Sequence, residues 1–305
     1  MISKQDFLGN VRIKILPSIL RKTEEEKLPT ILMSHKKMII CCLVLLFFIA
    51  CFLSYQKLAL MSGFSILGEF IFVFWYKKRI NRFVKEQVFS LLDLEEKHLS
   101  VGNLVELAKT GVLPNCNDAE TDDSFILKNT KHALFVQETE LSKWHGKHRH
   151  IVFHGLVISS DQFHLPNVSV LLWDKCITKS NLAESFNRFF SKLFEKEEPW
   201  EKVNCSDEKL EKEYDIYAPK FFEADKILTS QFTWGLNKIK SIFGEPMNLL
   251  IDNGEIVLAI PLKKNSFECI NWKNYSDLSS YEKFYDEIQK LNMIDDALFE
   301  LESKY

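Results

Sequence analysis

Hydrophobic residues divide the chain into a strongly apolar stretch near its N-terminus and a longer region of mixed polarity. Residues 38–56 (MIICCLVLLFFIACFLSYQ) carry no formal charge, and residues 58–76 (LALMSGFSILGEFIFVFWY) carry only Glu69. Each run would form a helix about 28 Å long, close to the thickness of the hydrocarbon core of a bilayer. The pattern predicts a two-helix transmembrane hairpin joined at Lys57, or alternatively a buried helical hairpin of a soluble protein.

Positive charge flanks this stretch at its two outer ends. Basic residues occupy 36–37 and 77–79, whereas the connection between the spans holds only Lys57. Because Lys and Arg concentrate in cytoplasmic loops, we expect a multi-pass inner-membrane protein with both termini in the cytoplasm. Glu69 would then lie at membrane depth, where a carboxylate must be neutral, paired or facing protein. It is either a hydrogen-bonding group between helices or an ion site.

Residues 1–37 are predicted to form a cytoplasmic amphipathic helical segment. Pro17 is expected to kink or divide it, because proline supplies no backbone N–H and clashes with the preceding turn. Its apolar positions follow helical spacing and comprise Phe7, Val11, Ile15, Ile19 and Leu20. The segment is either a solvated helix or an interfacial helix on the inner leaflet.

The rest of the chain mixes strand and helix patterns. We expect a basic helix and connecting segment at 77–123, a cytoplasmic α+β domain at 124–270 and a C-terminal acidic amphipathic helix at 271–305. Within this region, Asn253-Gly254 stands between two apolar runs and signals a type I′ hairpin turn. The fold class is therefore α+β with antiparallel strands, because strands and helices do not alternate as βαβ units. Runs rich in β-branched and aromatic residues predict strands at 124–127, 132–140, 149–159, 168–173, 213–218 and 248–262, and helical periodicity predicts helices at 181–194, 221–228, 232–243 and 277–302.

The composition argues against several classes of binding and catalytic site. The net charge is −3 in 305 residues, which argues against nucleic-acid binding because such proteins carry a basic excess. The seven cysteines are scattered without C-x-x-C spacing, which indicates a reducing compartment and argues against a thiolate zinc site. Neither glycine-rich phosphate loops nor nucleophile-elbow or zincin motifs occur, so we expect no cofactor.

Four of the eight histidines fall in KWHGKHRHIVFHG, residues 143–155. Side chains alternate along a strand, which would place His148, His150 and His154 on one face. His148 and His150 would lie about 6.6 Å apart along the strand, and His154 would be too far from His148 to join them. An antiparallel hairpin centred near Trp144 would set Glu140 opposite His148 and Glu138 opposite His150.

This predicted set of His148, His150, Glu138 and Glu140 has three interpretations. Two histidines with one or two glutamates could bind zinc. The same arrangement could make ordinary cross-strand charge pairs, or pairs that depend on pH. Basic neighbours at 143, 147 and 149 disfavour a divalent cation.

The order of elements resembles a known family in several stretches. Its pre-membrane helix is similar to KILPSILRKTEEEK (14–27), and other family stretches are similar to VELAKTGVLPNCNDAETDDSFI (105–126), IVFHGLVI (151–158), YDIYAPKFFEADKILTSQF (214–232) and NLLIDNGEIVLAIPLKKNSFE (248–268). The family is the uncharacterised bacterial membrane proteins of domain of unknown function 3137, and the likeness covers roughly residues 5–270. The resemblance implies a membrane-anchored cytoplasmic α+β domain. It implies no reaction, cofactor or partner, so it assigns no catalytic residue.

These observations lead to three functional hypotheses. The first is a non-enzymatic binding or scaffold module anchored in the membrane, whose partners are the lipid bilayer and either another protein or a second copy of the chain. The second is a metal-dependent hydrolase that uses His148, His150 and a glutamate. The third is a small channel or transporter subunit that uses Glu69.

Overall fold

A computed structural model describes residues 2–25, 44, 71, 74–75, 78–97, 101–128, 130–163, 169–178, 200–220, 222, 224–267 and 276–303. The predicted helix at 181–194 lies outside the described residues. The chain divides into two compact units, one of Met1–Leu92 with Glu268–Phe284 and one of Asp93–Phe267 with Tyr285–Tyr305.

The first unit begins with a helical segment made of α1 (Lys4–Asn10), a π-helical stretch at Val11–Ile15 and α2 (Leu16–Glu25). Ser3 caps α1, accepting a hydrogen bond from the backbone N–H of Asp6 at 3.2 Å. The amphipathic pattern is confirmed at Phe7, Val11, Ile15 and Ile19, which are buried, whereas Leu20 is exposed.

The helix is not interrupted at Pro17, which lies in its described continuation. The π-helical stretch ends two residues before this proline. A proline removes one backbone donor from a helix, and a wider local turn is a common way to accommodate such a defect. A further helix, α3, covers 78–91 and buries Ile80, Val84 and Val88 at intervals of four residues.

Among the described residues, a nine-stranded sheet forms the centre of the second unit, with strand order β1-β2-β3-β4-β9-β8-β5-β7-β6. Every pairing in it is antiparallel, as the sequence predicts. The strands are β1 (Leu94–Glu96), β2 (Asp118–Leu127), β3 (Leu134–His145), β4 (His148–Ser160), β5 (Ser169–Asp174), β6 (Trp200–Lys202), β7 (Tyr214–Pro219), β8 (Asn248–Asp252) and β9 (Glu255–Pro261).

Both faces of the central strands are buried, as expected for runs of consecutive apolar residues. One face carries Leu141, Phe153 and Val157, which join a core cluster with Leu104 and Ala108 of the helix that precedes β2. The opposite face carries the alternate side chains, among them Leu156, Ile158, Leu258, Ile260 and Leu172, all buried.

Helices of the second unit connect and cover the strands. Gly235 of α8 lies against α9, because a Cβ at this position would be 3.2 Å from Leu301 Cδ1. Lys238 of α8 also pairs with Glu300 of α9 at 2.8 Å. The helices are α4 (Val101–Lys109), α5 (Lys175–Thr178), α6 (Glu208–Glu213), α7 (Ala224–Ile227), α8 (Ser230–Phe243) and α9 (Leu278–Glu302).

A buried ion pair fastens α8 to the sheet. The Lys240 ammonium lies 2.8 Å from Asp174, which is fully buried at the end of β5, and 3.0 Å from Glu213. Burial alone would lower the pKa of Lys240, but the hydrogen bonds and charges of Asp174 and Glu213 outweigh it and raise that pKa. Lys240 therefore keeps its proton beside Asp174.

The predicted hairpin turn at Asn253-Gly254 is confirmed. Both residues have positive φ, 50° and 88°, as a type I′ turn requires. They connect β8 to β9, with Asp252 opposite Glu255. Asparagine and glycine are the residues that adopt this conformation most readily, which is why the dipeptide is a dependable signal.

No helix within the described residues is long and apolar enough to cross a membrane. The longest described helix, α9, has 25 residues but carries charged side chains along its whole length, which excludes it from hydrocarbon. This finding contradicts the predicted two-helix transmembrane hairpin, and with it the multi-pass inner-membrane location. The predicted spans at 38–56 and 58–76, with Glu69, lie outside the described residues except at four positions.

The backbones of β4 and β9 approach each other closely at Gly155. A Cβ built on Gly155 would lie 2.1 Å from the carbonyl oxygen of Ile260 and 2.8 Å from Cα of Pro261. Real side chains do not tolerate such distances, so only glycine allows the pairing of Gly155 with Pro261. This contact gives a steric reason for glycine at position 155.

Substitution of Gly155 by alanine should destabilise the second unit strongly, because the added methyl group meets backbone atoms that cannot rotate away. We expect a loss of roughly 2–4 kcal/mol in the free energy of unfolding, measured by chemical denaturation. Gly9→Ala is the control, since nothing lies within 4 Å of its added Cβ and alanine is favoured in helices. Equal stability of the two variants would contradict the steric interpretation.

Candidate functional site

The structure separates the four residues of the predicted metal site. Glu140 of β3 lies opposite His154, and Glu138 lies opposite Leu156. His148 and His150 lie opposite His145 and Lys143. The predicted register, with Glu140 opposite His148 and Glu138 opposite His150, is therefore wrong by six residues.

A β-bulge also separates the histidines by face. Leu141 pairs with Phe153 and Ser142 with Ile151, so β4 inserts Val152 as an extra residue. Because β3 alternates without interruption, His154 shares the face of Glu138 and Glu140, whereas His148 and His150 lie on the other face. The predicted sharing of one face by all three histidines is thus wrong.

Within the described residues, no group of three or more His, Cys, Asp or Glu side chains is placed to hold a metal ion. Both histidines that we considered as ligands are on the projecting end of the β3–β4 hairpin, and both glutamates are on the opposite face. The geometry therefore does not assemble the predicted zinc set.

Both ring nitrogens of His154 have hydrogen-bond partners in the fold. Its Nδ1 lies 3.0 Å from the carbonyl oxygen of Leu262, and its Nε2 lies 2.7 Å from Asn265 Oδ1. The Asn265 amide is oriented by Asp122, to which its Nδ2 donates at 3.1 Å. Both neighbours of the ring are thus acceptors, an arrangement that favours the protonated imidazole, in which both ring nitrogens donate.

The pKa of His154 is raised for this reason. Burial by itself would lower the pKa, but the hydrogen bonds to Leu262 and Asn265 and the charges of Glu138 and Glu140 raise it. The ring consequently holds the segment 262–267, which follows β9, against β4.

Glu138 holds the same segment from β3. Its carboxylate is fully buried and accepts hydrogen bonds from the backbone N–H groups of Ser266, at 2.6 Å, and Phe267, at 3.3 Å. Burial raises its pKa to about 7, although the two N–H donors and the charge of His154 oppose the rise, and Asp123 adds to it. Glu138 and His154 form a titratable pair at the point where β9 leaves β4, and we name these two residues with Asn265 the junction cluster.

A fully buried histidine, His132, was not identified from the sequence. Its Nδ1 lies 2.7 Å from Asp295 and its Nε2 2.9 Å from Glu302, both on α9. Burial would lower the pKa of His132, but the hydrogen bonds and charges of these two carboxylates raise it. Asp295 and Glu302 are seven residues apart, which puts them on one helix face. That spacing was visible in the sequence, but their partner was not.

The end of the β3–β4 hairpin has its own polar network. Arg149 reaches Glu140 at 3.1 Å and Glu120 at 3.2 Å, and it lies 3.7 Å from Asp118. The indole Nε1 of Trp144 donates to Asp118 at 2.9 Å. These contacts fix the orientation of the hairpin relative to β2 and neutralise the charge of Arg149.

The matching region of a known family begins on β4, at the strand that carries these histidines. Residues 151–298 match the model of a family described as Protein of unknown function (DUF3137). This stretch, just under half of the chain, contains His154 and Asn265 of the junction cluster as well as Asp295. The finding supports a domain of unknown function, and it does not extend to the bacterial or membrane aspects of the resemblance. No curated protein and no solved structure matches the chain.

Glu138 should make folding stability depend on pH. Its pKa is raised from 4.5 to about 7 in the folded state, so the folded protein binds this proton more tightly than the unfolded chain. The contribution is fully present below pH 4.5 and is lost as the pH rises towards 7. We expect Glu138→Gln to flatten the fall in unfolding free energy between pH 4.5 and 7, measured by denaturation at each pH.

The control for this experiment is His148→Gln, an exposed position on the hairpin. It should leave the pH profile unchanged. The decisive quantity is the slope of the unfolding free energy against pH. The free energy itself is less informative, because the glutamine of Glu138→Gln turns its own N–H group towards one of the two backbone N–H donors and lowers stability at every pH. An unaltered slope in Glu138→Gln would count against titration of this carboxyl group.

Asp295→Asn should lower the pKa of His132, since it removes the charge that lies 2.7 Å from Nδ1. We also expect a loss of roughly 1–3 kcal/mol of stability, because the carboxylate accepts hydrogen bonds from the backbone N–H groups of Lys131 and His132. Nuclear magnetic resonance titration of the His132 ring measures the first effect. Asp296→Asn, which removes only a surface pair with Lys131, is the matched control. A His132 pKa that shifts equally in both variants would contradict the assignment.

Proposed function

We propose that this chain is a non-enzymatic protein-binding module and that it captures its partner with the end of the β3–β4 hairpin, residues 142–153, here named the hairpin tip. The observation that carries the proposal is that the two strands run beyond the sheet. β9 pairs with β4 only as far as Gly155, and β2 pairs with β3 only as far as Ser142. In the described part of the chain, the two strands therefore have no strand neighbours except each other between Ser142 and Gly155.

Two large apolar side chains on the hairpin tip support a binding role. Trp144 is 47% exposed and Ile151 is 59% exposed. Ile151 is opposite Ser142, and Arg149 is opposite Trp144, so alternation places both apolar residues on one face. Tryptophan is enriched at positions that dominate binding energy in protein interfaces.

The hairpin tip is also held in place before a partner arrives. Arg149 and Trp144 anchor it to carboxylates of β2 and β3, and Gly146 closes the turn with φ of 64°. A surface that is already ordered loses less conformational entropy on binding. This arrangement favours recognition of a specific partner.

The proposal can be tested by photocrosslinking in the cells that produce the protein. A photoreactive amino acid at position 151 should give adducts with a discrete partner, identified by mass spectrometry, whereas the same amino acid at position 234 should not. Trp234 is a fair reference because it is similarly exposed, at 55%, but lies on α8.

Truncation of the tip should then weaken binding of the partner identified in this way. We expect Trp144→Ala with Ile151→Thr to lower its retention at least tenfold, because both apolar contacts are lost. Trp234→Ala should leave retention unchanged, and circular dichroism should confirm that both variants fold. Adducts that are as abundant at 234 as at 151, or binding that survives loss of both apolar residues, would contradict a binding role for the tip.

A further inference from the structure

We propose that the partner of the hairpin tip is an extended, acidic polypeptide segment that pairs as an additional strand along the outer edge of β4, beside His148–Phe153. This inference rests on the proposed binding role of the tip and specifies the chemistry of the partner. It draws on the position of the strand edge, on the charge along the strand and on the apolar side chains next to it.

Within the described residues, the outer edge of β4 has no neighbouring strand beside Arg149 and Ile151. On the side away from β3, β4 is paired with β9 from Gly155 to Ser160. Leu262 then donates its N–H to the carbonyl oxygen of His154 at 2.8 Å, and the following residues turn towards Glu138. Over His148–Phe153, no strand of the described chain lies on that side. Exposed strand edges of this kind bind extended peptides through backbone hydrogen bonds.

The charge of the hairpin tip selects an acidic partner. From Leu141 to Ser160 the sequence contains no Asp or Glu, while it contains Lys143, Lys147 and Arg149 in addition to its histidines. The charge of Arg149 is already matched by carboxylates of β2 and β3. Lys147 and His148 are exposed at the turn, where they face a strand that docks on the edge.

The same charge disfavours a second copy of this chain as the occupant. Two tips paired across this edge would bring their basic residues within one short strand length of each other, and like charges opposite one another destabilise a pair of strands. The bulge at Val152 also interrupts the regular spacing that two identical edges would need. An acidic segment would not be repelled by the basic residues, and it would not need to match the spacing of an identical edge.

Ile151 provides the apolar part of the recognition. Ile151 is exposed on β4, beside which the partner strand would pair. Trp144 lies on β3, on the same face of the hairpin. A partner strand that alternates acidic and apolar residues would present its apolar side chains to this pair and its carboxylates to the basic turn, because the period of a strand is two residues.

Fluorescence polarisation with synthetic peptides and the full-length chain tests this proposal. The probe is a labelled nine-residue peptide that alternates Val and Glu. The controls have Lys in place of Glu, or N-methyl groups on alternate backbone nitrogens of the Glu peptide. We expect the Glu peptide to bind at least tenfold more tightly than either control, and its affinity to fall at least threefold between 50 and 300 mM NaCl, because exposed charges are screened.

Charge reversal on the protein provides the matched comparison. Lys147→Glu with His148→Glu should weaken binding of the Glu peptide at least tenfold and strengthen binding of the Lys peptide. Lys209→Glu with Lys212→Glu makes a similar change in charge on α6, where both side chains are exposed, and should alter neither affinity. Equal binding of the methylated and unmethylated Glu peptides would overturn strand addition, and equal binding of the Glu and Lys peptides would overturn the acidic chemistry.

The result also separates this inference from the proposed function. A crosslinked partner that depends on Trp144 and Ile151, together with failure of the Glu peptide, would leave the binding module standing and reject the acidic strand. Concentration-dependent dimerisation that the Glu peptide does not inhibit, but that Lys147→Glu with His148→Glu alters, would assign the edge to a second copy and also reject it.

Discussion

At Gly155 the backbones of β4 and β9 come so close that a methyl group would overlap the carbonyl group of Ile260. The polar contacts made by the residues that follow β9 depend on this approach. It ends the pairing of β9 at Pro261 and brings Leu262 to within a hydrogen bond of His154. The chain then continues to the buried carboxylate of Glu138. One position without a side chain therefore fixes the end of a strand and the place of two titratable groups.

The polar groups buried in this unit are stabilised in the same way. Glu138, His154 and Asp174 lie on the face of the sheet opposite the cluster that contains α4. Each buried charge is paired with an opposite charge or with backbone donors, since an isolated charge there would be strongly destabilising. Asp174 reaches α8 and His132 reaches α9, so ionic contacts of defined geometry specify where these helices dock as well as adding to their apolar packing.

The sequence predicted much of this architecture from short-range patterns. Runs of β-branched residues located most strands, and Asn253-Gly254 located a turn, because these signals act over a few residues. The short strands β1 and β6 and the helix α4 were missed, since their patterns are brief or mixed. The membrane prediction rested on hydropathy of a stretch outside the described residues, and the described helices do not support it.

The candidate site was harder to predict for two physical reasons. The turn is at Gly146-Lys147 and not near Trp144, and Val152 adds a residue to one strand only. Each difference changes which side chains meet, since a strand alternates every residue. Glu138 and His132 make their hydrogen bonds to partners more than a hundred residues away in the sequence. Periodicity along the chain cannot reveal such contacts. His154 was excluded from the predicted metal set for its distance, yet the fold holds it, like His132, through both ring nitrogens.

The bulge at Val152 has a consequence for how this surface can change. It lies between the part of β4 that is committed to the sheet and the part that projects, so it uncouples their alternation. Loss of Val152 would leave Ile151 opposite Ser142 and Phe153 opposite Leu141, so both strands would keep their faces while the local bend and extra twist of the bulge disappeared. The direction in which the hairpin tip projects could thus change through chain length alone, without any substitution in the hydrophobic core.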